Sequence, residues 1–324
     1  MVKMQLETFP KSHVKKIIQA FVGLTIGFFF LWLTYQETDW STVSLLFTNI
    51  RYNWLIAGVT FYALDLLART NRWRIILKPI KLLSIKETGK ALLVGYAMNC
   101  ILPARLGEIF RGNFTGKSYK MPRSTVIGSI FLERVVDGLT IILCILVGSL
   151  FIPRNEGVNS LILGASIIFV GLLILSIILS VIARRGFLIK FSATLHQKVQ
   201  MFTESVRKIN FFSLSSIIYL SLLVWMLEGI SIWSILKSID VSLHWSSMLT
   251  VLGFISLSTL LPSAPGYVGT YQYAYGLALN LFGYGTEQGV AAATIVQIFI
   301  MGSVTLSGLT IYLFTLFNSG EKIK

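Results

Sequence analysis

The sequence predicts an all-α polytopic membrane protein, built as an inverted repeat with about six full spans and two re-entrant helical hairpins. Composition identifies the solvent. Hydrophobic residues make up 54%, charged residues only 13%, and mean hydropathy is +0.74, outside the range of a soluble globular chain. Runs free of Asp, Glu, Lys and Arg cover 17–36, 157–183, 241–286 and 288–320, each long enough to cross a hydrocarbon core of ~30 Å at ~1.5 Å per helical residue. The third observation is a matched pair of breaks in apolar sequence, Leu102, Pro103, Ala104 and Gly107 in one half and Leu261, Pro262, Ser263 and Gly266 in the other. Pro cannot continue a helix, and Gly accepts backbone geometry that other residues avoid. Interrupted hydrophobic segments at corresponding places in two halves mark an inverted-repeat transporter, with its site between the broken helices.

The elements follow in chain order. The first run, 17–36, is too long for the core of a cleavable signal and no small-x-small site follows it, so it reads as a retained signal anchor. Further full spans are expected at 52–69, 124–152, 158–183, 211–236 and 289–317. Residues 91–103 supply only ~20 Å of helix before the first break, and 245–260 and 267–282 supply ~24 Å each around the second. Segments 91–115 and 245–282 are therefore read as hairpins entering from the inside and the outside, since broken backbone at membrane depth needs a cover of protein or a water-filled cavity. The stretches 69–90 and 184–210 interleave basic and apolar residues, as in Arg72-Trp73-Arg74. They suit either interfacial amphipathic helices on an anionic leaflet or loops carrying orientation charges.

Charge tests this layout. With the N-terminus inside, 24 of the 28 basic residues fall on inner segments, and only Arg51, Arg154 and Lys237 fall outside. A full crossing at 91–103 would place Arg105, Arg111, Lys117, Lys120 and Arg123 outside, so the hairpin is preferred. The net charge of +14 thus reads as orientation in the cell membrane with both termini cytoplasmic, and no nucleic-acid partner is expected. One membrane domain, 1–324, divides into repeats 1–155 and 156–324, each running span, span, hairpin, span from opposite sides.

Mid-span charges need partners or a function. Asp65, Glu133, Arg134, Asp137 and Glu228 qualify. Glu133 and Asp137 stand i, i+4 on one helix face with Arg134 beside them, fit either for an internal ion-pair network or for a polar lining to a headgroup path. At the first break, after Asn99, the residues Arg105, Glu108 and Arg111 recur every third position. If Gly107 opens a helix there, its free N–H groups and the arginine forks favour phosphate; the alternative is plain orientation charge. The second break is uncharged. Ser263, Tyr267, Thr270, Tyr271, Gln272, Tyr273 and Tyr275 surround it, as a headgroup grip or as an interfacial aromatic belt, while Pro262, Pro265, Gly266 and Gly269 set its backbone. Cys100 and Cys144 share no CxxC spacing and read as packing residues. The histidines, His13, His196 and His244, sit in or beside loops, and no HExxH, GxSxG or P-loop occurs. No enzyme activity, metal or cofactor is expected.

At these same residues the chain resembles the flippase-like membrane domain of lysylphosphatidylglycerol synthase and its stand-alone relatives. The resemblance rests on Asn99, Leu102-Pro103-x-Arg105-x-Gly107-Glu108-x-x-Arg111, Glu133-Arg134-x-x-Asp137, and Leu261-Pro262-x-x-Pro265-Gly266-x-x-Gly269, in that order over about 15–320. It implies a domain that moves aminoacylated phospholipid between leaflets, with a separate soluble domain performing aminoacyl transfer in full synthases. The sequence ends at Lys324 with no room for that second domain, so synthase activity is not expected. The family usually carries Glu where this chain has Gln272, which cannot ionise.

The expected function is that of a lipid translocator, or a lipid-headgroup-binding membrane protein, with the headgroup in a groove between the repeats. Asn99, Arg105, Glu108, Arg111, Glu133, Arg134, Asp137, Tyr267 and Gln272 are its candidate site residues. Arg105 and Arg111 would hold phosphate, and Glu108, Glu133 and Asp137 a cationic or hydroxylated group. Partners would be anionic inner-leaflet lipids, a translocated phospholipid or glycolipid, and either a second copy or a lipid-modifying enzyme. The rival readings are a non-transporting subunit of a glycosyltransferase or lipid-modifying enzyme, and a carrier of small soluble solutes.

Overall fold

A computed structural model describes residues 11–36, 38–102, 105–151, 156–186, 189, 192–261 and 263–320. The helices are α1 Lys11–Gln36, α2 Trp40–Thr48, α3 Tyr52–Leu77, α4 Ile85–Ile101, α5 Leu106–Ser118, α6 Arg123–Ser149 and α7 Glu156–Arg184 in the first part of the chain. They continue as α8 Ala193–Lys208, α9 Phe211–Ser238, α10 Trp245–Ser258, a 3-10 turn Pro265–Tyr267, α11 Thr270–Asn280, α12 Thr286–Ile295 and α13 Gly302–Gly320. A π-helical segment, Val296–Met301, joins α12 to α13 without a break. The fold is all-helical among the described residues. Local signals set the boundaries. Ser84 and Glu87 form a capping box at the start of α4, and the Asn210 side chain accepts from the Ser213 amide at the start of α9.

At the centre α3 and α9 pack antiparallel. The amide of Arg51, at the start of α3, donates to Ser238 at the end of α9 (2.9 Å), and farther along Ser231 Oγ donates to the Gly58 carbonyl (2.7 Å). The small Gly58 lets the two backbones approach. Around this pair α4 folds back on α5, and α10 on α11. The packing then exchanges: α4 lies against α13, and α10 against α6. One sequence interval recurs among these elements. Tyr52 and Phe211, the first residues of α3 and α9, stand as far apart as Arg69 and Glu228, 159 residues, and Pro103 and Pro262 repeat that interval.

Among the described residues three helical stretches are long and apolar enough to cross a membrane: Ile162–Arg184, Phe211–Ser238 and Thr286–Phe317. They coincide with the expected spans 158–183, 211–236 and 289–317. The expected spans 52–69 and 124–152 lie in α3 and α6, which have the length, 26 and 27 residues, but are less apolar, with Asp65 and Arg69 in the one and Glu133, Arg134 and Asp137 in the other. Only 17% of the Ile162–Arg184 window is buried, and α7 turns Leu163, Ile167, Ile174 and Ile178 outward, an apolar surface that only lipid or a partner covers.

One expectation is overturned. Residues 69–77 belong to no interfacial helix or loop: α3 continues through them to Leu77, with Arg72 and Trp73 completely buried. A long helix absorbs these basic residues because buried acids wait for them. Residues 193–208 do form a separate helix, α8, whose buried His196, Thr203 and Ser205 face inward and whose Phe202 backbone abuts Gly128 of α6.

Candidate functional site

The charges on α3, α5, α6 and α9 form two adjoining clusters, one around Glu133 and Asp137 and one around Arg69, which meet at Trp225. Arg72 donates to Asp137 (2.6 Å) and to Ser221 Oγ (3.1 Å), and its other terminal nitrogen lies 3.6 Å from Glu133. Glu133 also accepts from Arg111 (2.9 Å) and Arg134 (2.5 Å). Arg134 reaches Asp137 (3.2 Å) and stands 3.6 Å from Glu108. Arg69 donates to Asp65 (2.7 Å), one turn back on α3, and to Glu228 on α9. Indoles complete the shell. The Arg111 guanidinium lies 3.5 Å from the Trp73 ring centroid, and Trp225 Nε1 donates to Asp137 (3.3 Å). Four arginines here meet five carboxylates, Asp65, Glu108, Glu133, Asp137 and Glu228. Ions in a low-dielectric interior persist only when paired and hydrogen-bonded in this way.

Beside the network lies a cavity of about 420 Å³, bounded by helices from both parts of the chain and reached by both breaks. Its walls are mostly apolar. Polar groups enter from α3 (Arg69), α4 (Tyr96, Asn99), the start of α5 (Arg105), α6 (Arg134, Asp137), α9 (Glu228) and the second break (Tyr267, Tyr271). Ile168 of α7 and Leu260 after α10 line the cavity and are also 55% and 42% exposed on the apolar exterior. The cavity therefore has a lateral mouth.

The two breaks are built differently. At the first, the Leu102 amide closes α4 on Met98 (2.8 Å), and Arg105 caps α5 in the left-handed region at φ 56. A non-glycine residue there is strained, a cost found mainly where a site needs its side chain aimed. Arg105 donates to Thr259 Oγ1 (2.9 Å), linking the first break to the end of α10. Gly107 is forced by contact, since a Cβ would strike the backbone of Gly95 and Asn99. At the second break Pro265 opens the 3-10 turn, and Gly266, Tyr267 and Gly269 all have positive φ. Gln272 Oε1 accepts the Gly269 amide (2.9 Å), its Nε2 donates to Gln297 on the π segment (2.7 Å), and Gln297 donates to the Gly266 carbonyl (2.9 Å). Pro103, Ala104 and Pro262 lie outside the described residues.

The expected site residues thus divide. Asn99, Arg105, Arg134, Asp137 and Tyr267 line the cavity, and Glu108 stands beside Arg134. Arg111 and Glu133 sit behind the wall, each at most 1% exposed and held by partners. Gln272 clamps the backbone of the second break and is not among the lining residues. Sequence reading missed Arg69, Arg72, Trp73, Tyr62, Tyr96, Trp225 and Gln297. The signal for the first group was the i, i+4, i+7 spacing of Asp65, Arg69 and Arg72 on one helix face.

An all-helical fold with apolar outer helices, internal ion pairs and a laterally open cavity defines an integral membrane protein. The profile of the lysylphosphatidylglycerol synthase transmembrane region matches residues 20–308, and the chain belongs to that family. Among curated proteins it is similar to UPF0104 membrane protein MJ1078 of Methanocaldococcus jannaschii, 26% identical over 222 residues, covering 65% of this chain and 91% of that protein. No solved structure gives a significant match.

Proposed function

We propose that the protein is a lipid translocator of the cell membrane, moving a phospholipid or glycolipid headgroup through the cavity between two inverted halves. The observation that carries this reading is the lateral mouth. A soluble solute needs an aqueous path, whereas a lipid needs a polar pocket that its headgroup enters sideways while the acyl chains stay in hydrocarbon. The cavity lined by Arg105 and Arg134 and bordered by Ile168 and Leu260 suits the second.

The inverted repeat is supported by the fixed interval between elements, by the antiparallel α3–α9 pair, and by the exchanged packing of α4 on α13 and α10 on α6. In this proposal α4–α5 and α10–α11 are re-entrant hairpins whose breaks meet near the midplane, and six full spans surround them. Arg105, at the head of α5, holds phosphate with the helix N-terminus behind it. Rocking of one half against the other about α3–α9 then carries the headgroup from one leaflet to the other, with no covalent chemistry.

The test is transfer of a fluorescent-headgroup phospholipid between leaflets of vesicles containing the purified protein. Faster transfer than in protein-free vesicles is expected. Lipid binding without transfer would favour a non-transporting subunit of a lipid-modifying enzyme, and uptake of a soluble solute would favour a solute carrier; either result retires the translocator.

A further inference from the structure

We infer that Gln297 is a positioning residue for translocation, acting with Gln272 to hold Tyr267 in the cavity through a hydrogen-bond relay that runs in one direction only. The inference rests on the translocator reading and names a residue on which the rate of transfer depends.

Tyr267 is a strained part of the cavity wall. It lines the cavity from the left-handed region, at φ 59, between Gly266 (φ 66) and Gly269 (φ 86). A non-glycine residue keeps such a conformation only where its surroundings over-determine it. The relay holds both flanks of that turn. The Gly269 amide donates to Gln272 Oε1 (2.9 Å), Gln272 Nε2 donates to Gln297 Oε1 (2.7 Å), and Gln297 Nε2 donates to the Gly266 carbonyl (2.9 Å). The backbone fixes the direction. An amide N–H only donates and a carbonyl only accepts, so position 272 must accept from the turn and position 297 must donate to it. With two carboxamides, the remaining nitrogen of Gln272 then faces the remaining oxygen of Gln297, and all three bonds are made.

Gln297 supplies the anchor outside the turn. It lies in the π-helical segment, where the Gly302 amide donates to the Gln297 carbonyl. Segments of this kind interrupt helices mainly at functional sites. Val296, Ile300 and Met301 of the same segment line the cavity, and the helix runs on as α13, which packs on α4. The relay therefore ties two parts of the cavity wall together, so that the second break and the π segment shift as one piece when the halves rock.

The experiment measures transfer of the fluorescent-headgroup phospholipid in vesicles containing full-length variants. Each is assayed well below its own melting temperature, so that loss of fold does not enter the rate. Gln297→Glu sets a carboxylate, which only accepts, against the Gly266 carbonyl, and Gln272→Lys sets a donor against the Gly269 amide. Each should transfer lipid roughly tenfold more slowly than wild type, the rate equivalent of one orphaned polar group. Two paired exchanges separate direction from simple attraction. Gln272→Glu combined with Gln297→Lys keeps an acceptor at the Gly269 amide and a donor at the Gly266 carbonyl, and should restore most of the rate. Gln272→Lys combined with Gln297→Glu carries the same charges in the opposite order, wrong at both ends, and should stay slow. Restoration by both pairs, or by neither, overturns the inference. So does a Gln297→Glu protein that melts lower yet moves lipid at the wild-type rate while folded, which would make the relay structural only. If the charged variants do not fold, Gln297→Met carries the test. It is similar in size, makes neither bond and should also be slow; transfer at the wild-type rate overturns the inference. Wild type that moves no lipid retires the translocator itself and the inference with it, whereas wild-type transfer with indifferent variants retires the inference alone.

Discussion

Arg72 and Arg105 are two arginines with opposite obligations. Arg72 is fully buried and bonded to Asp137 and Ser221, with Glu133 close by. Arg105 lines the cavity and touches one hydroxyl. Removing one partner of a buried, paired network costs about 3–5 kcal/mol, because the stranded carboxylates remain in a medium that cannot solvate them. Arg72→Met is therefore expected to lower thermal stability in detergent sharply or to prevent accumulation, while Arg105→Ala and Glu108→Gln melt near wild type and lose lipid transfer. Equal melting of Arg72→Met and wild type would show that the network does not hold the helices together; equal loss of stability in all three would make the cavity charges structural as well. This contrast was only half legible in the sequence. Glu133, Arg134 and Asp137 stood out because they interrupt an apolar stretch. Arg69 and Arg72 did not, because they follow an apolar run and precede more basic residues, the same local picture as an inner-surface loop. Their partners Glu228 and Asp137 lie 159 and 65 residues away, beyond any local pattern.

At the scale of elements, the breaks were legible because Pro and Gly act on the backbone where they stand. The extent of α3 beyond residue 69 was not, since the charges that fix it by tertiary pairing are those that lower its hydropathy. The breaks make a graded prediction. Gly107→Ala places a Cβ against Gly95 and Asn99 of α4, an overpacking of the kind that costs ~1–3 kcal/mol. Gly269→Ala adds a left-handed φ of 86 to a collision with the Gly27 backbone and should be the more damaging. Gly164→Ala on α7, with open space around it, should not lower the melting temperature; if it does so as much as Gly107→Ala, close packing is not what these glycines provide. A second element-scale prediction concerns α2. Asp39 caps it, accepting from the Ser41 hydroxyl (2.6 Å) and the Thr42 hydroxyl (2.8 Å), and these bonds hold its carboxyl down to about 2. A folded value below the usual 3.8 means that the cap stabilises fully above that pH and fails as pH falls toward about 2. Amide exchange in α2 should accelerate across that window, and Asp39→Asn should abolish the acceleration; pH-independent exchange in the native protein would exclude the cap as its source.

For the whole molecule, contacts sort the loops into two ends. Arg51 pairs with Asp240 (2.5 Å), the Asp39 amide donates to Glu287 (3.3 Å), Phe151 packs on Trp245, and the Ser242 amide donates to the Tyr284 hydroxyl (3.1 Å). At the other end Lys81 reaches the Tyr119 carbonyl (2.8 Å) and Thr125 reaches Glu204 (3.3 Å). This partition uses no charge count, yet the second end gathers Lys81, Lys117, Lys120, Arg123, Lys198, Arg207 and Lys208, and the first holds Arg51 and Lys237. On the rule of orientation by positive charge we propose that the second end faces the cytoplasm. In that proposal α12 and α13, followed from Glu287 at the first end, would lead the chain inside, and α1, followed backward from Asp39, would do the same. Single cysteines replacing Asp240 and Lys198 in a background lacking Cys100 and Cys144 test this with a membrane-impermeant maleimide on intact cells. The cysteine at 240 should label at once, and that at 198 only after permeabilisation. Reporter fusions at residues 1 and 324 should both report the cytoplasm. The opposite labelling pattern would invert the topology while keeping the fold. Termini on opposite sides would be more serious, because an odd number of crossings is incompatible with two halves of three spans and a hairpin, and the inverted repeat would fall with the parity.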